Sequence, residues 1–321
     1  MQTFEELSAQ FLKKFSEGHF PKEPSSLYEP NNYFLGLGGK RVRPVMCLMG
    51  NELFDEITGD AWNVATAIEL FHNFTLVHDD IMDKAPLRRG MQTVHTKFGE
   101  STALLAGDVM LVVAYEYLNK VSGTYLRRII QLFNKTAKEV CEGQQLDMDF
   151  EKAHNVDFAS YENMIALKTS VLLAGSLQMG AILGGALDRN QNLISEFGRK
   201  LGLAFQVQDD YLDAFGDAQK FGKQIGGDIK ANKKTFLLIH ALETATTAQK
   251  QQLQDLLRSD GENKVGEVLT IYKGCKCDAW ATELKEKYLA EALQHLDDIA
   301  VLSKRKDPLK ELATFLIQRE H

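Results

Sequence analysis

Two groups of acidic residues have the type and spacing to hold cations. Val77-His78-Asp79-Asp80-Ile81-Met82-Asp83 recurs as Val207-Gln208-Asp209-Asp210-Tyr211-Leu212-Asp213, an interval of 130 residues (209 − 79). Both read DDxxD. On a helix the first and third carboxylates stand one turn apart, about 5 to 6 Å between Cβ atoms. Two unpaired carboxylates at 5 Å repel by about 0.8 kcal/mol in water and about 3 kcal/mol at an effective dielectric of 20. A solvated helix face explains one such cluster but not two that each continue an apolar stretch, so a cation is expected. Hard oxygen donors with few nitrogen or sulfur partners suit Mg²⁺, which binds through one or two carboxylates and completes its shell with water and phosphate. Glu69-x-x-His72 and Glu151-x-x-His154 also match the ligand pair of di-iron helix bundles. That alternative leaves both aspartate triplets without a role, and 149–155 reads as a loop.

Cations accompany the acids. Gly38-Gly39-Lys40-Arg41-Val42-Arg43-Pro44 places three of them in a glycine-led turn at a helix start, where main-chain N–H groups also favour an anion. Arg88-Arg89-Gly90 follows the first acidic motif by five residues, and Lys168-Thr169, Lys223 and Lys233 add positive charge further on. The pattern reads as a cradle for diphosphate.

Helices must position these groups. Five of the six prolines fall within the first 86 residues, and none occurs from Leu87 to Asp307. At about 5% usage roughly 11 would be expected there, and proline is least tolerated inside helices, which predicts an all-α fold. Ala65, Ile68, His72, Leu76, Asp79 and Asp83 step by three or four along a helix predicted over 60–84, on a face that starts apolar and ends acidic. Further helices are predicted near 2–17, 41–55, 101–119, 124–148, 158–184, 190–215, 233–243, 247–258 and 277–303. With no Pro/Ser-rich linker and no helical repeat, 1–321 reads as a single domain.

Composition narrows the function classes. The net charge is −7, with 44% hydrophobic and 25% charged residues, the proportions of a globular protein and not of a nucleic-acid binder. The N-terminal MQTFEELSAQFLKKF lacks the apolar core of a secretion signal, and no window approaches about 18 consecutive apolar residues, so no stable membrane insertion is expected. Four irregularly spaced cysteines (Cys47, Cys141, Cys275, Cys277) predict reduced thiols and a cytoplasmic setting.

From about residue 36 onward the chain resembles the trans-prenyl diphosphate synthases. The resemblance rests on GGKRVRP, LVHDDIMD followed by RRG, the Gly143-Gln144-x-x-Asp147 element, KTS at 168–170, FQVQDDYLD and GDIKANKKTF, in this order and spacing. It implies one all-α domain with a central cavity, a homodimer, and an enzyme condensing isopentenyl diphosphate with an allylic diphosphate. Asp79, Asp80 and Asp83, with Asp209, Asp210 and Asp213, would hold three Mg²⁺ ions, and Asp228 would be a partner of that site. Arg88, Lys168, Lys223 and Lys233 match contacts to the allylic diphosphate. Lys40, Arg43, His72 and Arg89 match the site for isopentenyl diphosphate.

The resemblance further implies ionisation of the allylic diphosphate, condensation, and loss of a proton to the released diphosphate. The Thr169 carbonyl and the Gln206 amide would offer dipoles to the developing cation. A terpene cyclase or head-to-head synthase needs no isopentenyl site, and a silent partner subunit usually loses one acidic motif; both the cradle and the two motifs are present. Product length is expected to be set along the helix carrying Asp79. Phe74 lies about 7.5 Å and Phe71 about 12 Å toward its N-terminus at 1.5 Å per residue. A single aromatic at the first depth resembles geranylgeranyl (C20) synthases, with farnesyl (C15) synthesis as the alternative.

Overall fold

A computed structural model describes residues 1–153, 155–216, 225–259, 261 and 263–318. The helices are α1 (Phe4–Phe15), α2 (Ser25–Gly36), α3 (Val42–Glu52), α4 (Gly59–Met82), α5 (Val94–Phe98), α6 (Glu100–Leu118), α7 (Gly123–Lys152) and α8 (Phe158–Ile165). A π-helical turn, Ala166–Ser170, leads into α9 (Val171–Leu183). Then follow α10 (Asp188–Phe215), α11 (Gly227–Lys230), α12 (Phe236–Thr244), α13 (Thr247–Leu257), α14 (Lys264–Gly274), α15 (Cys277–Asp297) and α16 (Asp307–Gln318). Among the described residues the strands are two short ones, β1 (Leu87–Arg88) and β2 (Met91–Gln92), paired antiparallel. The predicted all-α class is the observed one.

Contacts divide the chain into two compact units, Met1–Phe133 with Ser176–Asn192, and Asn134–Gly175 with Leu193–His321. In the first, α4 packs on α3 and α6. From Ala61 to Phe71 it is buried nearly all round, as an apolar central helix must be. From Phe74 onward only Val77 and Asp80 remain buried, so the helix opens where its carboxylates begin. In the second unit the rings of Phe158 and Tyr161 pack on Phe236, and Trp280 packs edge-on to Phe158. Polar ties fix α15 to α8 and α10: Tyr288 to Glu162 at 2.7 Å, Lys285 to Gln208 at 2.8 Å and Lys200 to Glu291 at 2.6 Å.

Several expectations need correction. The stretch read as a loop at 149–155 is helical through Lys152, where Gln145 and Asp149 bond one turn apart at 2.9 Å. Helix α2 forms despite Pro30, because burial of Asn31 and Phe34 outweighs the local cost of proline. The region predicted as one helix over 158–184 is interrupted by the π turn. Helix α15 stops at Asp297, short of the predicted 303, and α14 and α16 were not anticipated. Two helical stretches, Glu100–Leu118 and Phe158–Leu183, are long and apolar enough to cross a membrane; 78% of the apolar window in the second is buried inside the protein.

Candidate active site

In the first unit the GGKRVRP segment is a turn with positive φ at Gly38 and Gly39, followed by Arg41 in the left-handed region as the N-cap of α3. A Cβ on Gly39, at φ 138°, would lie 2.9 Å from the Arg89 guanidinium, so glycine here provides both the conformation and the space. Arg89 donates to the Gly38 carbonyl. RRG itself forms the hairpin turn: Arg89 and Gly90 both have positive φ, as a two-residue turn of this kind demands, and Arg88 pairs across to Met91.

That turn aims Arg88 at the first acidic motif. Its Nε donates to both oxygens of Asp80 at 2.8 and 2.9 Å, and its terminal nitrogen stands 2.8 Å from Asp80 and 3.5 Å from Asp79. Burial pushes the Asp80 carboxyl above its usual range, and Arg88 opposes that shift. Asp83 caps α4 and is exposed, and Lys40 is exposed as well.

Of the cradle's three cations, Arg41 is spent internally. It is buried in an ion pair with Glu69 and donates to the Leu35 carbonyl at 3.0 Å. Glu69 also accepts from Asn73 at 2.9 Å. Glu69 therefore serves a cation of the protein and is not poised beside His72 as a di-iron ligand; His154, the matching histidine of that alternative, lies outside the described residues. Arg43 instead reaches His72, with Nη1 3.2 Å from Nε2. Burial, then Arg43, Arg89, Arg88 and Arg41, hold His72 well below its usual pKa. The ring is neutral, so its Nε2 accepts from Arg43. Burial pushes Arg43 down to about 10. With Arg41 paired to Glu69 and Arg88 to Asp80, Arg43 and Arg89 are the cations beside the neutral histidine whose charge suits an anion.

Phe74 packs on Phe71 at 5.7 Å between ring centroids and on His78 at 4.7 Å. Phe71 is fully buried behind it, edge-on to Phe133 at 5.3 Å.

In the second unit a cavity of about 150 Å³ is lined by Asp147, Asp209, Asp210 and Asp228 together with Lys168, Lys233, Thr169 and Gln206. Lys168 and Thr169 come from the π turn, a rearrangement to i→i+5 bonding that recurs at functional sites. The turn fits because its neighbours are glycines. A Cβ on Gly143 of α7 would stand 2.2 Å from the Lys168 nitrogen, and one on Gly202 of α10 would stand 2.6 Å from the Ser170 hydroxyl. One helical turn beyond Gly143, Asp147 takes the Lys168 ammonium at 2.6 Å. The Gly143-x-x-x-Asp147 spacing is thus a clearance and an anchor for one lysine.

Asp210 is enclosed. Its Oδ1 accepts from Gln206 Nε2 at 2.8 Å, and its Oδ2 accepts from the Phe236 main-chain N–H at 3.2 Å and the Tyr161 hydroxyl at 3.3 Å. Burial first, then Asp228 and Asp209, push its carboxyl well above the usual range. Asp213 Oδ2 accepts from the Asp228 N–H at 3.0 Å, tying the second motif to α11. Lys233 stands 3.9 Å from Asp228. Lys223 lies outside the described residues. Tyr161 and the Arg41–Glu69 pair escaped sequence reasoning, because nothing in their spacing marks a contact made between separate helices.

The donor set fits a divalent cation. It is all oxygen, and burial first, with repulsion from Asp228 and Asp209, raises the Asp210 carboxyl, a shift that a bound cation opposes. Among the described residues no three acidic, His or Cys groups converge into a preformed cage.

The polyprenyl synthetase family model matches residues 24–275. The chain is 37% identical over 300 residues to the geranylgeranyl diphosphate synthase of Methanosarcina mazei, covering 93% of this chain and 91% of that one. It is 35% identical over 299 residues to the short chain isoprenyl diphosphate synthase of Methanothermobacter thermautotrophicus, covering 93% and 92%. A crystal structure of a geranylgeranyl pyrophosphate synthase superposes with a TM-score of 0.95 at 40% identity over the whole of both chains. The acidic motifs, the arginine-rich turn and the all-α fold thus come together with these likenesses: the chain belongs to the polyprenyl synthetase family and is a prenyltransferase of isoprenoid biosynthesis.

Proposed function

We propose that the chain, acting as one synthase domain, condenses isopentenyl diphosphate with an allylic diphosphate and releases geranylgeranyl (C20) diphosphate. The observation that carries this reading is the cavity in which Asp209, Asp210 and Asp228 alternate with Lys168 and Lys233, since carboxylates and ammonium groups in one small space suit a metal-bridged diphosphate. The ions are taken as Mg²⁺, three per site, held by Asp79, Asp80, Asp83, Asp209, Asp210 and Asp213. When bound they supply Lewis acidity and neutralise charge at the departing diphosphate.

The protein's own groups do the rest. Lys168, Lys233, Lys223 and Arg88 hold the allylic diphosphate and stabilise the negative charge that it gains as its carbon–oxygen bond breaks. Lys40, Arg43, Arg89 and neutral His72 hold the isopentenyl diphosphate through the arginine cluster. The Thr169 carbonyl and the Gln206 amide face positive charge growing on the allylic fragment. Phe74, backed by Phe71, limits the length of the growing chain. No side chain is assigned the final proton, which passes to the released diphosphate.

The enzyme is proposed to work as a cytoplasmic homodimer. Leu104, Leu105 and Val112, about half exposed on α6, support an apolar contact with a second copy. Asp80→Ala and Asp210→Ala are each expected to lower turnover at least about 100-fold. Full activity in EDTA, or in both variants, overturns the metal role.

A further inference from the structure

We infer that Tyr161 and Asp210 are positioning residues for Gln206, fixing its side-chain amide so that the carbonyl oxygen, and not the NH₂ group, is presented to the substrate cavity. The inference rests on the elongase reading above and extends it to how the Gln206 side chain is held. A glutamine amide has two ends of nearly equal size and opposite polarity, and the torsion that exchanges them is soft. In a cavity where positive charge develops, one orientation attracts that charge and the other repels it. Something must choose.

Asp210 makes the choice. Gln206 and Asp210 lie one turn apart on α10, and the Gln206 Nε2 donates to Asp210 Oδ1 at 2.8 Å. With its nitrogen engaged there, the amide turns its oxygen away from Asp210, and Gln206 lines the cavity. Asp210 in turn cannot rotate, because its Oδ2 receives the Phe236 N–H from the first turn of α12 and the Tyr161 hydroxyl from α8. The Tyr161 ring is itself held edge-on against Phe236 at 4.7 Å. Both Tyr161 and Asp210 are 3% exposed, so water does not compete for these bonds. Three elements thus converge on one carboxylate whose free neighbour is the Gln206 amide.

The test is calorimetric binding of two allylic diphosphate analogues in the presence of Mg²⁺, one with an ammonium in place of the cationic carbon and one with a neutral isostere. Their affinity ratio isolates the response to positive charge, because the diphosphate is common to both. Tyr161→Phe keeps the ring and the Asp210 charge, and is expected to lower the ratio about tenfold, the scale of one hydrogen bond's leverage. Asp210→Asn is expected to lower it at least as much, any loss of metal-assisted diphosphate binding being common to both analogues and so cancelling in the ratio. Removing the charge of Asp210 could also act on the ammonium directly, so both changes are repeated in a Gln206→Leu background. There they are expected to leave the ratio unmoved, the signature of action through Gln206. A ratio unchanged by Tyr161→Phe, or effects that persist in full without Gln206, overturns the inference. A parent protein that binds neither analogue overturns the elongase reading instead.

Discussion

Replacing Glu69 by Gln tests whether the cradle is held from inside the first unit. The Glu69 and Arg41 side chains are 4% and 3% exposed, and the carboxylate is the buried partner of that guanidinium. Removing one member of a buried ion pair leaves the other charge uncompensated, at a cost of about 3–5 kcal/mol. With an unfolding entropy of about 2.1 cal/mol/K per residue, a chain of 321 residues gains about 0.7 kcal/mol/K, so Tm is expected to fall by about 4–7 °C. Arg41 caps α3 two residues before Arg43, so the KM for isopentenyl diphosphate is expected to rise along with the loss of stability. Differential scanning fluorimetry and steady-state kinetics read the two effects. Replacing both partners by apolar residues, Arg41→Met with Glu69→Leu, is expected to restore much of the Tm. A Glu69→Gln protein that melts within 1 °C of the parent refutes the reasoning, because the pair would then not be carrying a buried charge.

Two further outcomes concern the substrates. Arg43→Ala is expected to raise the KM for isopentenyl diphosphate by about 10-fold or more, the worth of a charge-assisted hydrogen bond, with a smaller effect on the allylic primer, and Lys233→Ala is expected to show the reverse bias; equal effects on both substrates argue against two diphosphate sites. Phe74→Ala is expected to shift the product distribution to longer chains by removing the ring that covers Phe71, and an unchanged distribution in a folded variant shows that the floor lies elsewhere.

Much of the helical plan was legible because it is written locally. The absence of proline from Leu87 to Asp307 and the three-to-four-residue apolar step exposed α4, α6, α7 and α10. Helix α2 was hidden by Pro30, whose local signal points away from a helix that tertiary burial nonetheless stabilises. The two acidic motifs and the basic turn were legible since each sits in one short stretch. Their internal partners were not: Arg41 looked like a free cation of the cradle until Glu69, 28 positions away, was seen beside it. Asp147 and Lys168, 21 residues apart, meet only because Gly143 and Gly202 leave room for the π turn between them. Tyr161 carried no signal at all, being one aromatic among many until its hydroxyl is placed at Asp210.

The most direct measurement is chromatography of the products formed from isopentenyl diphosphate and Mg²⁺ with each of the C5, C10 and C15 allylic diphosphates. Elongation of all three to a common C20 diphosphate is the expected result. Accumulation of C15 product would move the length limit away from Phe74, and no elongation of any primer would contradict the assignment of this chain as an isoprenyl diphosphate elongase.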